Sequence, residues 1–134
     1  MASVAPISSP PSKILPKILI VEDEPAQRFL VATVLEDDGG FDLLVAGSAD
    51  EALKVIAQHE GIDCVFTDVN MPGRLDGLDL AKGVLADHPK IKVVITSANT
   101  YPGPPLEGVP FLAKPYDLTS LPQCLRGVLS SRGA

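Results

Sequence analysis

Glu22-Asp23-Glu24, Asp68, Thr96-Ser97 and Lys114-Pro115 each stand at the end of a short apolar run. If those runs lie side by side, two or three carboxylates, a hydroxyl and an ammonium converge on one patch. Carboxylates gathered in this way repel one another, and a hard cation is the simplest compensation. Mg²⁺ takes oxygen ligands, keeps several of its waters and commonly bridges a carboxylate to a phosphate. A carboxylate beside such an ion can act as a nucleophile and form an acyl phosphate. A lysine and a hydroxyl nearby would stabilise the charge on the phosphoryl oxygens, on which this kind of transfer depends.

The elements that must position these groups are legible as a repeating pattern. Apolar runs at 17–21, 41–46, 62–67, 91–96 and 109–113 read as five strands, with helical patterns between the first four. Pro25 suits the first turn of the first helix. The spacing of Leu30 with Val34 and of Val31 with Leu35 gives that helix its apolar stripe, and residues 37–40 end it. Ser48 to Glu51 form a capping box, so the second helix begins at Ala49, with Leu53 and Ile56 inward and Gly61 as its stop. Asp76 caps a third helix carrying Leu78, Ala81 and Leu85 inward, stopped by Pro89. Ser120 to Gln123 form another capping box, and the last helix is read from Leu121, with Leu121, Cys124, Leu125, Val128 and Leu129 as its stripe. Strands alternating with helices at this spacing imply βαβ units and a parallel sheet covered on both faces. In such sheets ligands bind beyond the carboxyl ends of the strands, where the reactive residues fall.

One connection breaks the pattern. The stretch 97–108 (SANTYPGPPLEG) stands where a fourth helix belongs, yet it holds three prolines and two glycines, so it is expected to be a loop or a single turn. The first sixteen residues are Ser/Pro-rich and read as a flexible tail, leaving 17–134 as one domain.

Composition narrows the function. With 46% hydrophobic and 21% charged residues in 134, the chain can bury an ordinary core. Its net charge is −6 and its basic residues are scattered, which argues against a nucleic-acid partner. No stretch approaches the ~20 apolar residues of a membrane span. Cys64 and Cys124 stand in unrelated contexts and are expected to be reduced, buried thiols in a cytoplasmic protein. His59 and His88 fall near helix ends, where histidine is favourable in any case.

The motifs VEDEP at 21–25, FTDVNMPG at 66–73 with DG at 76–77, ITSA at 95–98 and FLAKPY at 111–116 occur in that order at successive strand ends. Together they resemble the receiver domains of two-component signalling, from about Lys17 to Arg132. The resemblance implies a flavodoxin-like (βα)5 fold, an α/β doubly wound sheet of five parallel strands in the order 2-1-3-4-5, here with a degenerate or missing fourth helix. It implies Asp68 as phosphoacceptor. Asp23 and Asp68 would be direct Mg²⁺ carboxylates, with the Asn70 backbone carbonyl as a further ligand and Glu22 acting through water. Thr96 would supply the hydroxyl that moves toward the phosphoryl group, and Lys114 its cationic partner. Pro115 matches a position usually preceded by a cis peptide, and Met71 and Pro72 shape the loop beside Asp68. Phe111 has two readings, a switching aromatic and a core aromatic that never moves.

The implied function is that of a stand-alone receiver domain without an output domain, not an enzyme in its own right. It would take a phosphoryl group from a sensor histidine kinase or a histidine phosphotransfer protein and bind a downstream target protein. A phosphate sink, or an interaction module that is never phosphorylated, is the alternative. Two departures from the family pattern stand out. MPGRLDG has one residue more than the commoner spacing, placing Arg74 in an altered loop. The weak fourth helix removes a common dimerisation surface, so a monomer is expected. A haloacid-dehalogenase type phosphatase expects an acid two positions after its nucleophile, where this chain has Asn70.

Overall fold

A computed structural model of the protein describes residues 15–98 and 106–130. In chain order the elements are β1 (Lys17–Val21), α1 (Pro25–Asp38), β2 (Asp42–Ala46), α2 (Ala49–Gln58), β3 (Ile62–Asp68), α3 (Gly77–Asp87), β4 (Lys92–Ser97), β5 (Phe111–Ala113), a 3-10 turn (Leu118–Ser120) and α4 (Leu121–Ser130). The strands form one sheet in the order β2-β1-β3-β4-β5, and every pairing is parallel. This is the flavodoxin-like arrangement, with four helices among the described residues. Residues 99–105 of the expected loop lie outside the described residues, as do residues 1–14 of the expected tail.

Strand alternation sends neighbouring residues to two separate cores. Leu19, Val21, Val65, Val93 and Ile95 meet Ala52, Ile56, Leu80, Ala81 and Val84 on the α2/α3 face. Ile18, Ile20, Cys64, Phe66 and Val94 meet Val31, Leu35, Leu121 and Leu125 on the α1/α4 face. Central strands buried on both sides therefore need near-continuous apolar sequence, as β1, β3 and β4 have. Each fully buried Leu or Ile side chain contributes about 1.5–3 kcal/mol of transfer free energy.

Val31, Leu35, Ile56 and Ala81 are buried as expected, but other members of the expected helical stripes are not. Leu30, Leu53 and Leu85 are exposed by 47%, 36% and 40%, so they lie on the flanks and outside the core. The rows that meet the sheet are Val31 and Leu35 in α1, Ala49, Ala52 and Ile56 in α2, and Leu80, Ala81 and Val84 in α3. Small alanines bring a helix close to a sheet, and leucine spacing alone does not reveal which of two adjacent rows they favour. Cys124 is half-buried, while Cys64 is buried as expected, and both thiols are free.

The helix ends follow local chemistry. Gly39 ends α1 in the left-handed region, with φ at 79°, where a residue without Cβ carries no penalty. Asp76 and Asp79 form a reciprocal capping box at α3. The expected box at Ser120–Gln123 is not used. Ser120 donates its hydroxyl back to the Asp117 carbonyl at 2.9 Å, and Asp117 caps the 3-10 turn by accepting from the Thr119 amide at 2.9 Å. β5 is shorter than expected because Pro110 has no amide with which to extend the ladder. No described helix is long and apolar enough to cross a membrane.

Candidate functional site

The carboxyl edge of the sheet gathers the reactive residues. Glu22 follows β1 and Asp68 ends β3, and both side chains are buried although ionisable. Lys114, following β5, reaches across the intervening strand. Its Nζ donates to Asp68 Oδ2 at 3.0 Å and to Glu22 Oε1 at 3.3 Å. The Asn70 amide donates to Asp68 Oδ1 at 3.2 Å, and the Glu24 amide to Glu22 Oε2 at 3.2 Å. Arg28, one turn into α1, donates to the Glu22 carbonyl at 2.8 Å and so anchors the helix to the end of β1.

Glu22, Asp23 and Asp68 each place a carboxylate oxygen within 4.8 Å of the other two. Burial raises the Glu22 carboxyl above its ordinary value of 4.5, and the Asp68 charge adds to the rise, against the Glu24 amide and Lys114. Burial pulls Lys114 down, but the hydrogen bond and charge of Asp68, together with Glu22, outweigh it and raise its pKa. Three carboxylates facing one ammonium leave two negative charges in a largely buried patch. Hard oxygen donors with that residual charge suit a divalent cation of the Mg²⁺ type.

The remaining residues singled out by sequence are placed as follows. The Thr96 hydroxyl donates to the Leu112 carbonyl at 2.7 Å, within the sheet. Its neighbour Ser97 accepts from Asn70 Nδ2 at 2.9 Å. Met71 is buried in the α2/α3 core and Pro72 is exposed. Phe111 is half-buried against the same core. The Lys114–Pro115 peptide is cis. Arg74 is exposed and pairs with Asp50 at 3.0 Å, at the start of α2. Beside Lys114 an open cleft of about 360 Å³ lies between Gln27 of α1 and Tyr116 and Leu118 beyond β5. Burial raises the Tyr116 hydroxyl above its ordinary value, against a hydrogen bond with Gln27.

Two features escaped the sequence reading. One is the Asn70 side chain, considered there only for its carbonyl. The other is Gly77: a Cβ at that position would stand 1.9 Å from the Asp68 carbonyl oxygen and 2.8 Å from the Val69 Cα. The start of α3 therefore packs directly on the backbone that carries Asp68. The Asp76-Gly77 dipeptide was the available signal.

A parallel sheet of this order, with an acidic cluster and a lysine at its carboxyl edge, defines a doubly wound α/β domain with a charged candidate site. Comparison with known proteins sharpens this. Residues 18–126 match the response regulator receiver domain. Nitrogen assimilation regulatory protein NtrX of Azorhizobium caulinodans is 42% identical over 83 residues, covering 61% of this chain and 18% of that protein. Response regulator Rre1 of Synechocystis sp. is 32% identical over 124 residues, covering 87% of this chain and 53% of that one. The chain thus spans about half or less of the curated relatives it matches. Among solved structures, the receiver domain of hybrid histidine kinase CckA superposes with a TM-score of 0.71 at 33% identity, covering 85% of this chain and 99% of that one. Response regulator protein TrrA of Thermotoga maritima, in complex with Mg(2+)-BeF, gives 0.75 at 25% identity, with coverage of 85% and 99%. This chain belongs to the response regulator receiver domain family of two-component signalling. Receiver domains accept phosphoryl groups from histidine kinases, and the proteins similar to this one include both regulators and a sensor.

Proposed function

We propose that Asp68 accepts a phosphoryl group from a phosphohistidine, on a sensor histidine kinase or a histidine phosphotransfer protein, in a Mg²⁺-dependent reaction. The observation that carries this reading is the placement of Asp68. Its carboxylate is buried at the sheet's carboxyl edge, bonded to Lys114 at 3.0 Å and clustered with Glu22 and Asp23. In the transfer the bond between imidazole nitrogen and phosphorus breaks and a bond from an Asp68 oxygen to phosphorus forms. The nitrogen leaves with the electron pair.

The chain's own groups have distinct parts in this. Lys114 holds the Asp68 carboxylate in place and offers a positive charge to the arriving phosphoryl oxygens. Asp23 and Asp68, with the Asn70 carbonyl, would bind Mg²⁺ directly and Glu22 through water. Bound there, the ion offsets carboxylate and phosphoryl charge. The complex of TrrA with Mg(2+)-BeF supports such a site. The open cleft lies beside Lys114, whose Nζ is bonded to Asp68, on the side from which we place the donor imidazole. The modified domain then signals in the cytoplasm by phosphorylation-dependent binding of a partner protein, and its assistance to its own phosphorylation and dephosphorylation is its only chemistry.

Incubation with acetyl phosphate and Mg²⁺, read by intact mass, tests the assignment. The wild-type chain should gain one phosphate that is labile to hydroxylamine, and Asp68→Ala should gain none. Equal modification of both would place the acceptor elsewhere.

A further inference from the structure

Beyond Val21 and Ala46, the last paired residues of β1 and β2, the two segments part. The Glu22 amide still donates to the Ala46 carbonyl at 3.1 Å, but the chain after β2 leaves the sheet for α2. Where the ladder has ended, a side chain takes up the Glu22 carbonyl. Arg28 Nη1 donates to it at 2.8 Å. The Arg28 amide in turn donates to the Glu24 carbonyl at 2.9 Å. Asp23 lies between these two carbonyls, so one residue of α1 fixes the backbone on both sides of it.

The guanidinium has a prepared seat. It lies against Gly47, where a Cβ would stand 3.1 Å from Nη1 and 3.9 Å from Cζ. Gly47 is not among the glycines of positive φ, so what its missing Cβ provides is space. Glu51 Oε1 accepts from the Gly47 amide at 2.7 Å and lies 3.5 Å from the same Cβ position. Its carboxylate therefore offsets the arginine charge at this seat. The end of β1, the first turn of α1 and the start of α2 thus meet around one half-buried side chain.

We infer that Arg28 is a positioning residue for the cation site: it holds the Glu22–Asp23 peptide so that the Asp23 carboxylate joins Glu22 and Asp68, and Gly47 stays without a side chain to seat it. This rests on the reading of those three acids as a Mg²⁺ site. Two effects of the guanidinium oppose each other. Its charge repels a divalent ion, and its hydrogen bond sets a ligand in place beforehand. Glu51 weakens the first effect. Groups that orient metal ligands are worth about 10–100-fold in affinity, so the second prevails.

The test uses the full chain as wild type, Arg28→Ala, Gly47→Val and the double variant. Each is titrated with Mg²⁺ and followed by ¹⁵N amide signals, at a temperature where circular dichroism shows it folded. Arg28→Ala should raise the Mg²⁺ dissociation constant about tenfold, the lower end for a group acting through the backbone. Gly47→Val keeps the charge and displaces the guanidinium, and it should raise the constant by a similar factor. Gly47→Ala repeats the displacement more mildly if the valine variant does not fold. The double variant should stay near tenfold, because no guanidinium remains to be displaced. Before metal is added, both single variants should shift the Asp23 amide signal, which a loss of stability alone would leave in place. Unchanged or tighter Mg²⁺ binding by Arg28→Ala overturns the inference, since only charge repulsion would then have been removed. Losses that multiply to about a hundredfold in the double variant overturn the seating role of Gly47. A wild type that binds no Mg²⁺ overturns the reading of the acidic cluster and this inference with it. A wild type that binds, beside an Arg28→Ala chain that binds equally well, overturns the inference alone.

Discussion

Lys114 lies between two carboxylates that would otherwise repel each other, and that position explains why Glu22 and Asp68 can both be buried. The site is thus a balance of charges in which removing one member leaves the others uncompensated. Cys64 shows the opposite case, a buried ionisable group whose one favourable charge, Lys92, is outweighed by its burial. Burial, with a smaller push from Asp63, raises its thiol from 9.0 to about 12. The folded chain therefore holds this proton more tightly than the unfolded chain does. Stability is complete below the unfolded value and falls as pH rises from there toward the folded one, by roughly 1.4 kcal/mol one unit above the unfolded value. Iodoacetamide at mildly alkaline pH should label the half-buried Cys124 and spare Cys64 until urea unfolds the chain. Denaturant melts near neutral pH and near pH ~10 should show the alkaline loss, reduced in Cys64→Ala, whose side chain has no proton to lose. Prompt native labelling of Cys64 would contradict this. At this scale the acids, the lysine and the strand-end hydroxyls were legible because chemistry constrains residue type. Which hydroxyl contacts Asn70 was not, because side-chain direction is set by a register that forms between distant segments.

Gly77 connects an element to the site. Its amide donates to the Val69 carbonyl at 2.9 Å, and its missing Cβ lets the first turn of α3 rest on the Asp68 backbone. Any side chain there must push α3 away from β3 or move the strand end that carries Asp68. Gly77→Ala should therefore cost about 1–3 kcal/mol, the usual cost of overpacking, and should slow modification of Asp68. Gly83 is the internal control, since a Cβ there meets nothing within 4 Å. In Gly83→Ala the better helix propensity should add up to about 1 kcal/mol. Urea unfolding of the two variants checks this, and equal midpoints would show that α3 has room to shift. The elements themselves were readable from apolar runs, Pro25, Ser48 and Asp76, all of which act locally. The inward helix rows were less so, because Ala49 and Ala52 carry weak hydrophobic signals yet allow close approach to the sheet. The cap at Asp117 was missed for a related reason. A 3-10 turn of three residues is too short to show a period.

For the whole molecule, the sheet joins two cores that share no side chains and brings five strand ends to one acidic edge. The strand order followed from the motifs rather than from any local pattern, since pairing between segments distant in the chain, such as Val21 with Thr67, leaves no periodic trace. A net charge of −6, partly concentrated at that edge, means that the fold without metal bears repulsion that a cation would relieve. Any ion that binds the folded chain and ignores the unfolded one raises stability by linkage, about 1.4 kcal/mol at ten times the dissociation constant. Mg²⁺ should accordingly raise the thermal midpoint of the wild type, and a chelator should reverse the gain. The three acids should not contribute equally. Glu22 already gives one oxygen to the Glu24 amide and the other to Lys114. Asp23 is only partly buried and joins the same cluster of carboxylate oxygens. Asp23→Asn should therefore lose most of the Mg²⁺-dependent gain, and Glu22→Gln should keep a larger part of it. Titrations followed by thermal melts decide the order. A Glu22→Gln chain blind to Mg²⁺, beside an Asp23→Asn chain that still responds, would make Glu22 the direct ligand and assign the bridging water to Asp23.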